Sequence, residues 1–123
     1  MLTENLCQKV GGSYKEFGIG KERICEINLP THNWRKVDEL VKELTDGKGE
    51  FIQYSDGVTL KIGNENFVAI DSPHEPTTLT IRETEYTITF KMRDSEIIIQ
   101  KPYLDFALLI THDCGGWAEI ELD

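Results

Sequence analysis

The segment His112-Asp113-Cys114-Gly115-Gly116 places a thiol two residues from an imidazole on a glycine-opened turn. A cysteine nucleophile needs such a nearby cation to stabilise its thiolate. Asp113 lies between the two and its charge disfavours that thiolate, and no further base is identifiable, so the segment reads as an ordinary hairpin turn without a catalytic role. Metal binding there would require further ligands from His32, His74 or Cys25. Nothing in the spacing brings these together, so no metal and no cofactor are expected. His32 beside a helix start and His74 between Pro73 and Pro76 read as solvent-exposed loop residues.

Two carboxylate pairs, Glu83/Glu85 and Glu119/Glu121, have the two-residue spacing that puts both members on one face of an extended strand. Glycoside chemistry would need such acids in a cleft with aromatic walls, and no cleft is legible. Glu83-Thr84-Glu85 reads as solvated charge in a turn. No phosphate loop, dinucleotide fingerprint, HExxH, GxSxG or CxxC motif occurs. Gly18-Ile19-Gly20-Lys21 lacks the remaining glycine spacing of a phosphate loop and precedes a strand, so it reads as a turn. An enzyme is not expected.

The C-terminal hairpin is more suggestive. Pairing Phe106, Leu108 and Ile110 opposite Leu122, Ile120 and Ala118 makes one face coherently apolar. The other face then gathers Tyr103, Asp105, Leu109, Trp117, Glu119 and Glu121, which mix aromatics with acids and include no basic group. That is the composition of a binding hot spot with an electronegative rim, and these six are the expected partner-binding residues.

Charge points the same way. The chain of 123 residues carries 13 Lys and Arg against 22 Asp and Glu, a formal net charge of -9. Residues 1–42 hold seven basic and six acidic side chains, whereas residues 43–123 hold six basic and sixteen acidic ones. From Tyr103 onward there are five acids and no Lys or Arg. Such a field repels phosphate backbones and anionic lipids and draws in a basic protein. Nucleic acid is therefore not an expected partner, and neither is a membrane: the longest apolar run, Phe106 to Ile110, has five residues against the roughly 18 that a spanning helix requires. The opening MLTENLCQKVGG has neither a basic leader region nor a long apolar stretch, so a cytoplasmic location is expected. Cys7, Cys25 and Cys114 are odd in number and widely spaced, and in that setting they read as reduced thiols, at least one of them buried.

The elements that must position these groups follow from periodicity. A short helix over Thr3 to Val10 precedes a glycine-punctuated loop reaching residue 20. Arg23 to Leu29 alternates, with Cys25, Ile27 and Leu29 on the buried side. Thr31 or Asn33 can cap a helix whose apolar stripe is Trp34, Val37, Leu40, Val41 and Leu44, and which stops at Asp46-Gly47. Strands follow at Phe51–Tyr54, Val58–Ile62, Phe67–Ile70, Thr78–Arg82, Tyr86–Met92, Glu96–Gln100, Tyr103–Thr111 and Trp117–Leu122, with Asp56-Gly57 marking the clearest hairpin. Short connections imply antiparallel neighbours.

The expected fold is α+β: one amphipathic helix packed on a long, curved antiparallel β-meander, a half-barrel or small sandwich, forming a single domain over residues 1–123. The expected core is Ile27, Leu29, the helix stripe, Ile52, Leu60, Phe67, Ile88, Phe90, Ile98, Phe106, Leu108, Ile110, Ile120 and Leu122. The expected function is that of a small acidic intracellular binding or inhibitor protein that neutralises a basic protein, in the manner of an immunity protein against a nuclease toxin. The alternatives are a phage- or prophage-type accessory or assembly protein, or a small ligand-binding half-barrel. An exposed meander edge also leaves strand-paired dimerisation open.

Overall fold

Alternating apolar positions build most of this protein, and the computed structural model shows where the alternation is kept and where it fails. It describes the chain apart from residues 20, 30–32, 55–56, 64, 70–76, 94, 102–105, 112–115 and 122–123, and gives the backbone alone at 65–69, 106–111 and 116–121. The elements are α1 (Glu4–Lys9), β1 (Ser13–Phe17), β2 (Glu22–Leu29), α2 (Trp34–Leu44), β3 (Gly49–Tyr54), β4 (Gly57–Ile62), β5 (Glu65–Ala69), β6 (Thr77–Glu83), β7 (Thr87–Met92), β8 (Ser95–Gln100), β9 (Phe106–Thr111) and β10 (Gly116–Glu121).

The architecture is α+β with antiparallel sheets. The strands divide into an open sheet of order β1-β2-β6-β7-β8-β9-β10 and a three-stranded sheet of order β3-β4-β5. The meander expected from sequence therefore holds over β3-β4-β5 and again from β6 onward, but is broken between β5 and β6. β2 pairs not with β3 but with β6, Cys25 opposite Ile81 and Leu29 opposite Thr77. The large sheet ends in β1 on one side and β10 on the other, so it is an open sheet rather than the expected curved half-barrel. Buried residues of both sheets and both helices belong to one hydrophobic cluster.

Helix α2 buries Val37, Leu40, Val41 and Leu44, as its apolar stripe predicts, while Trp34 at the first turn is 37% exposed and lies against Arg35. The helix is docked on β3 by polar contacts that the stripe does not announce. Asp38 Oδ1 accepts from the Phe51 N–H at 2.9 Å, and Thr45 Oγ1 accepts from the Gly49 N–H at 2.8 Å. Gly49 is required for this approach: a Cβ there would stand 2.7 Å from Val41 Cγ1 and 2.9 Å from both Ile62 Cδ1 and Thr45 Oγ1.

Residues expected to form loop or free thiols are corrected at the N-terminal end. Ser13–Phe17 is a strand, paired from Ser13 opposite Glu26 to Phe17 opposite Glu22. It eluded periodicity because both its faces are largely exposed. Cys7 and Cys25 form a disulfide with their Cα atoms 5.7 Å apart, tying α1 to β2, rather than remaining reduced thiols. Both are fully buried. Gly12 lies directly against the bridge, since a Cβ there would sit 2.7 Å from each sulfur.

Two core expectations are off by one residue, for one reason. Phe51 rather than Ile52, and Ile97 and Ile99 rather than Ile98, are the fully buried members of continuous apolar runs in which alternation is lost. Leu122 lies outside the described residues, and the side chain of Phe67 does too.

Candidate functional site

The pleat of the large sheet assigns its residues to two faces, and cross-strand neighbours define rows that run its width. On the inner face one row reads Cys25, Ile81, Phe90, Ile97, Leu109 and Ala118, and a second reads Glu83, Ile88, Ile99, Ala107 and Ile120. On the outer face one row reads Lys15, Ile24, Arg82, Thr89, Ile98, Leu108 and Glu119, and another reads Glu26, Thr80, Lys91, Glu96, Ile110 and Trp117.

These rows correct the hairpin pairing expected from sequence. Trp117 is opposite Ile110, Glu119 opposite Leu108 and Glu121 opposite Phe106, one residue away from the register that would have separated apolar from acidic positions. A one-residue slip exchanges the two faces of one strand relative to the other. Trp117, Glu119 and Glu121 still share a face with one another, but their neighbours there are Phe106, Leu108 and Ile110, while Leu109 falls on the inner face with Ile97. The three residues Phe106, Leu108 and Ile110, expected in the core, thus belong to the outer face, whereas Ile120 of the same expected set lies on the inner face. Tyr103 and Asp105 lie outside the described residues, as do His32, His74, His112, Asp113 and Cys114.

At the β1–β2–β6 end the outer face is polar and its charges are largely paired with each other. Arg82 is bonded to Glu22, and Lys15 stands 3.9 Å from Glu26. The Glu22 carboxylate, by accepting from Arg82, holds that guanidinium above its ordinary pKa. An open groove of about 560 Å³ runs along this end, bounded by Phe17, Ile24, Arg82, Thr89 and Glu96. At the β8–β10 end the same rows become Ile98, Leu108, Ile110 and Trp117 interleaved with Glu96 and Glu119, with Glu121 opposite Phe106 beside them.

Glu83 is not the solvated turn charge its sequence neighbourhood suggests. It is the last residue of β6, only 3% exposed, and its Oε1 accepts from the Leu2 N–H at 2.9 Å. Lys101 Nζ lies 3.1 Å from Oε2 and Arg23 Nη1 3.6 Å from Oε1. A buried carboxylate with this many donors is held as a structural anchor. The signal was present in the alternation Leu79, Ile81, Glu83, which puts the acid on the buried face of its strand. Glu85, by contrast, is exposed.

Among the described residues no three His, Cys, Asp or Glu side chains converge in a way that could hold a metal ion, and no helix is long and apolar enough to cross a membrane. Compared with protein-family models, with curated proteins and with solved structures, the chain matches none.

Proposed function

We propose that this chain is a binding protein that occupies a basic protein partner through the outer face of its C-terminal hairpin, with neutralisation of a nuclease-like toxin as the particular case its charge and size suit best. One observation carries the reading. The β9–β10 register sets Trp117, Glu119 and Glu121 beside Ile110, Leu108 and Phe106 on the face turned away from the Ile97 and Ile99 rows. An aromatic and aliphatic centre interleaved with carboxylates suits a partner that offers Lys or Arg around an apolar contact. The net charge of -9, with no Lys or Arg after Lys101, supports rapid electrostatic encounter with such a partner. Binding of this kind requires no catalytic group of the chain's own.

The Cys7–Cys25 bridge favours action in an oxidising compartment, because such cross-links are kept reduced in most cytosols. The cytoplasmic setting expected from sequence is thereby set against a chemical observation. Thiol titration of the denatured, unreduced protein from its native host decides between them: one reactive thiol supports the oxidising setting, and three support the cytoplasm.

The binding reading is tested by capture followed by reconstitution. A protein retained from host lysate is identified and purified, then titrated against the wild type and against Trp117→Ala/Glu119→Lys/Glu121→Lys. Tight, salt-sensitive binding of a basic protein that the folded variant loses is the expected result. Equal binding by both forms, or capture restricted to acidic proteins, overturns the assignment.

A further inference from the structure

Resting on the reading above, we infer that the partner docks as an extended segment added to the open edge of β10, with Lys or Arg at every second position facing Glu119 and Glu121. Among the described residues β10 is hydrogen-bonded to β9 alone, so its other side offers a row of backbone donors and acceptors. Strand addition to such an edge draws affinity from the main chain and specificity from alternate side chains.

Three features of the rows select this edge and this occupant. The inner-face rows arriving at β10 are apolar to the end, Phe90-Ile97-Leu109-Ala118 in one and Ile88-Ile99-Ala107-Ile120 in the other. An added strand with apolar residues at its inward positions therefore extends a face that is already built. At the opposite edge, β1, the inner-face positions are Tyr14, half-buried, and Glu16, exposed, so no aliphatic row reaches that edge, and on its outer face Lys15 already lies 3.9 Å from Glu26. On the outer side, Glu119 and Glu121 are two residues apart, which puts them about 7 Å from one another along the strand, the spacing of alternate residues on any extended partner. Opposite charges directly across a ladder are favoured and like charges disfavoured. A second copy of this chain paired edge to edge about Glu119 would set Glu119 against Glu119, a like-charge contact that a basic strand in the same register replaces with an opposite-charge one.

The experiment uses the full chain and four end-labelled peptides: alternating Lys-Val, its composition-matched block form Lys then Val, the alternating peptide N-methylated along its whole backbone, and alternating Glu-Val. Fluorescence anisotropy is read for the wild type, for Glu119→Gln/Glu121→Gln, and for Glu39→Gln/Glu43→Gln, which removes the same charge from the exposed face of α2. The inference expects the alternating basic peptide to bind the wild type at least about tenfold more tightly than the block, N-methylated and acidic forms. It also expects the Glu119/Glu121 variant to lose about tenfold and the α2 variant to stay within about twofold. N-methylated or block peptides that bind as well as the alternating one, with loss still confined to the Glu119/Glu121 variant, overturn strand addition and leave the basic-partner reading standing. If no basic peptide distinguishes the Glu119/Glu121 variant from the α2 variant, both fall.

Discussion

The Leu2 main-chain N–H donates to Glu83 Oε1 at 2.9 Å, across 81 residues of sequence. Leu2 is fully buried, so this bond fixes the start of the chain inside the core at the end of β6. Arg23 from β2 and Lys101 just after β8 complete the same anchor, which thereby joins the segment before α1 to three parts of the large sheet.

Glu83→Ala is expected to destabilise the fold by about 3 kcal/mol, because it leaves a buried N–H and two partly buried cations without their carboxylate. Glu83→Gln keeps the shape and one acceptor and should cost less. Urea unfolding of both variants checks the order, and equal losses of under about 0.5 kcal/mol would show the anchor to be idle.

The Cys7–Cys25 bridge spans 18 residues, and loop-closure entropy for a span of that size is worth about 3 kcal/mol. Reduction, or Cys7→Ser/Cys25→Ser, should therefore lower the melting temperature by on the order of 10 °C for a domain of this size. Differential scanning calorimetry with and without reductant is the measurement.

Gly12→Ala introduces a Cβ 2.7 Å from both sulfurs. Overpacking of this kind costs about 1–3 kcal/mol. In a Cys7→Ala/Cys25→Ala background the sulfurs are gone, so most of that cost should disappear, and a double-mutant cycle measures the difference.

Tyr14 has its phenol pKa raised above 10.0, first by burial and then by its hydrogen bond to Glu16 and that residue's charge. A folded-state value above the unfolded one means the neutral phenol is favoured by folding. That stabilisation is fully present below about pH 10 and is lost as the pH rises through the folded value. Absorbance titration of the phenolates should show a late-ionising component that Tyr14→Phe removes.

How much of this was legible in the sequence depends on how each segment encodes its faces. Strict alternation in Cys25, Ile27 and Leu29 and helical spacing in Val37, Leu40, Val41 and Leu44 declared the buried sides correctly. The hairpin expected around Ser55-Asp56-Gly57 is also formed, but Tyr54 pairs with Gly57, so Gly57 opens β4 and positions 55 and 56 connect the strands. Runs without alternation, Ile97-Ile98-Ile99 and Ala107-Leu108-Leu109-Ile110, carry no phase, and the hairpin register inferred from them slipped by one. Long-range pairings were illegible for a different reason. Neither the Cys7–Cys25 bridge nor the β2–β6 ladder leaves any mark within a local window. For the candidate face, the kinship of Trp117, Glu119 and Glu121 needed only the period of a strand, whereas their apolar neighbours needed the register.

The β2–β6 ladder also governs the order in which the molecule can be made. Leu29 and Thr77 are paired residues, yet α2 and the whole three-stranded sheet lie between them in sequence. A ribosome adding about 5–20 residues per second therefore exposes the apolar side of β2 for several seconds before β6 exists to cover it. The two cysteines are both made by residue 25, so the N-terminal segment can be cross-linked within that interval. β6 through β10, joined by short connections, can then pair locally and close onto an edge that is already waiting.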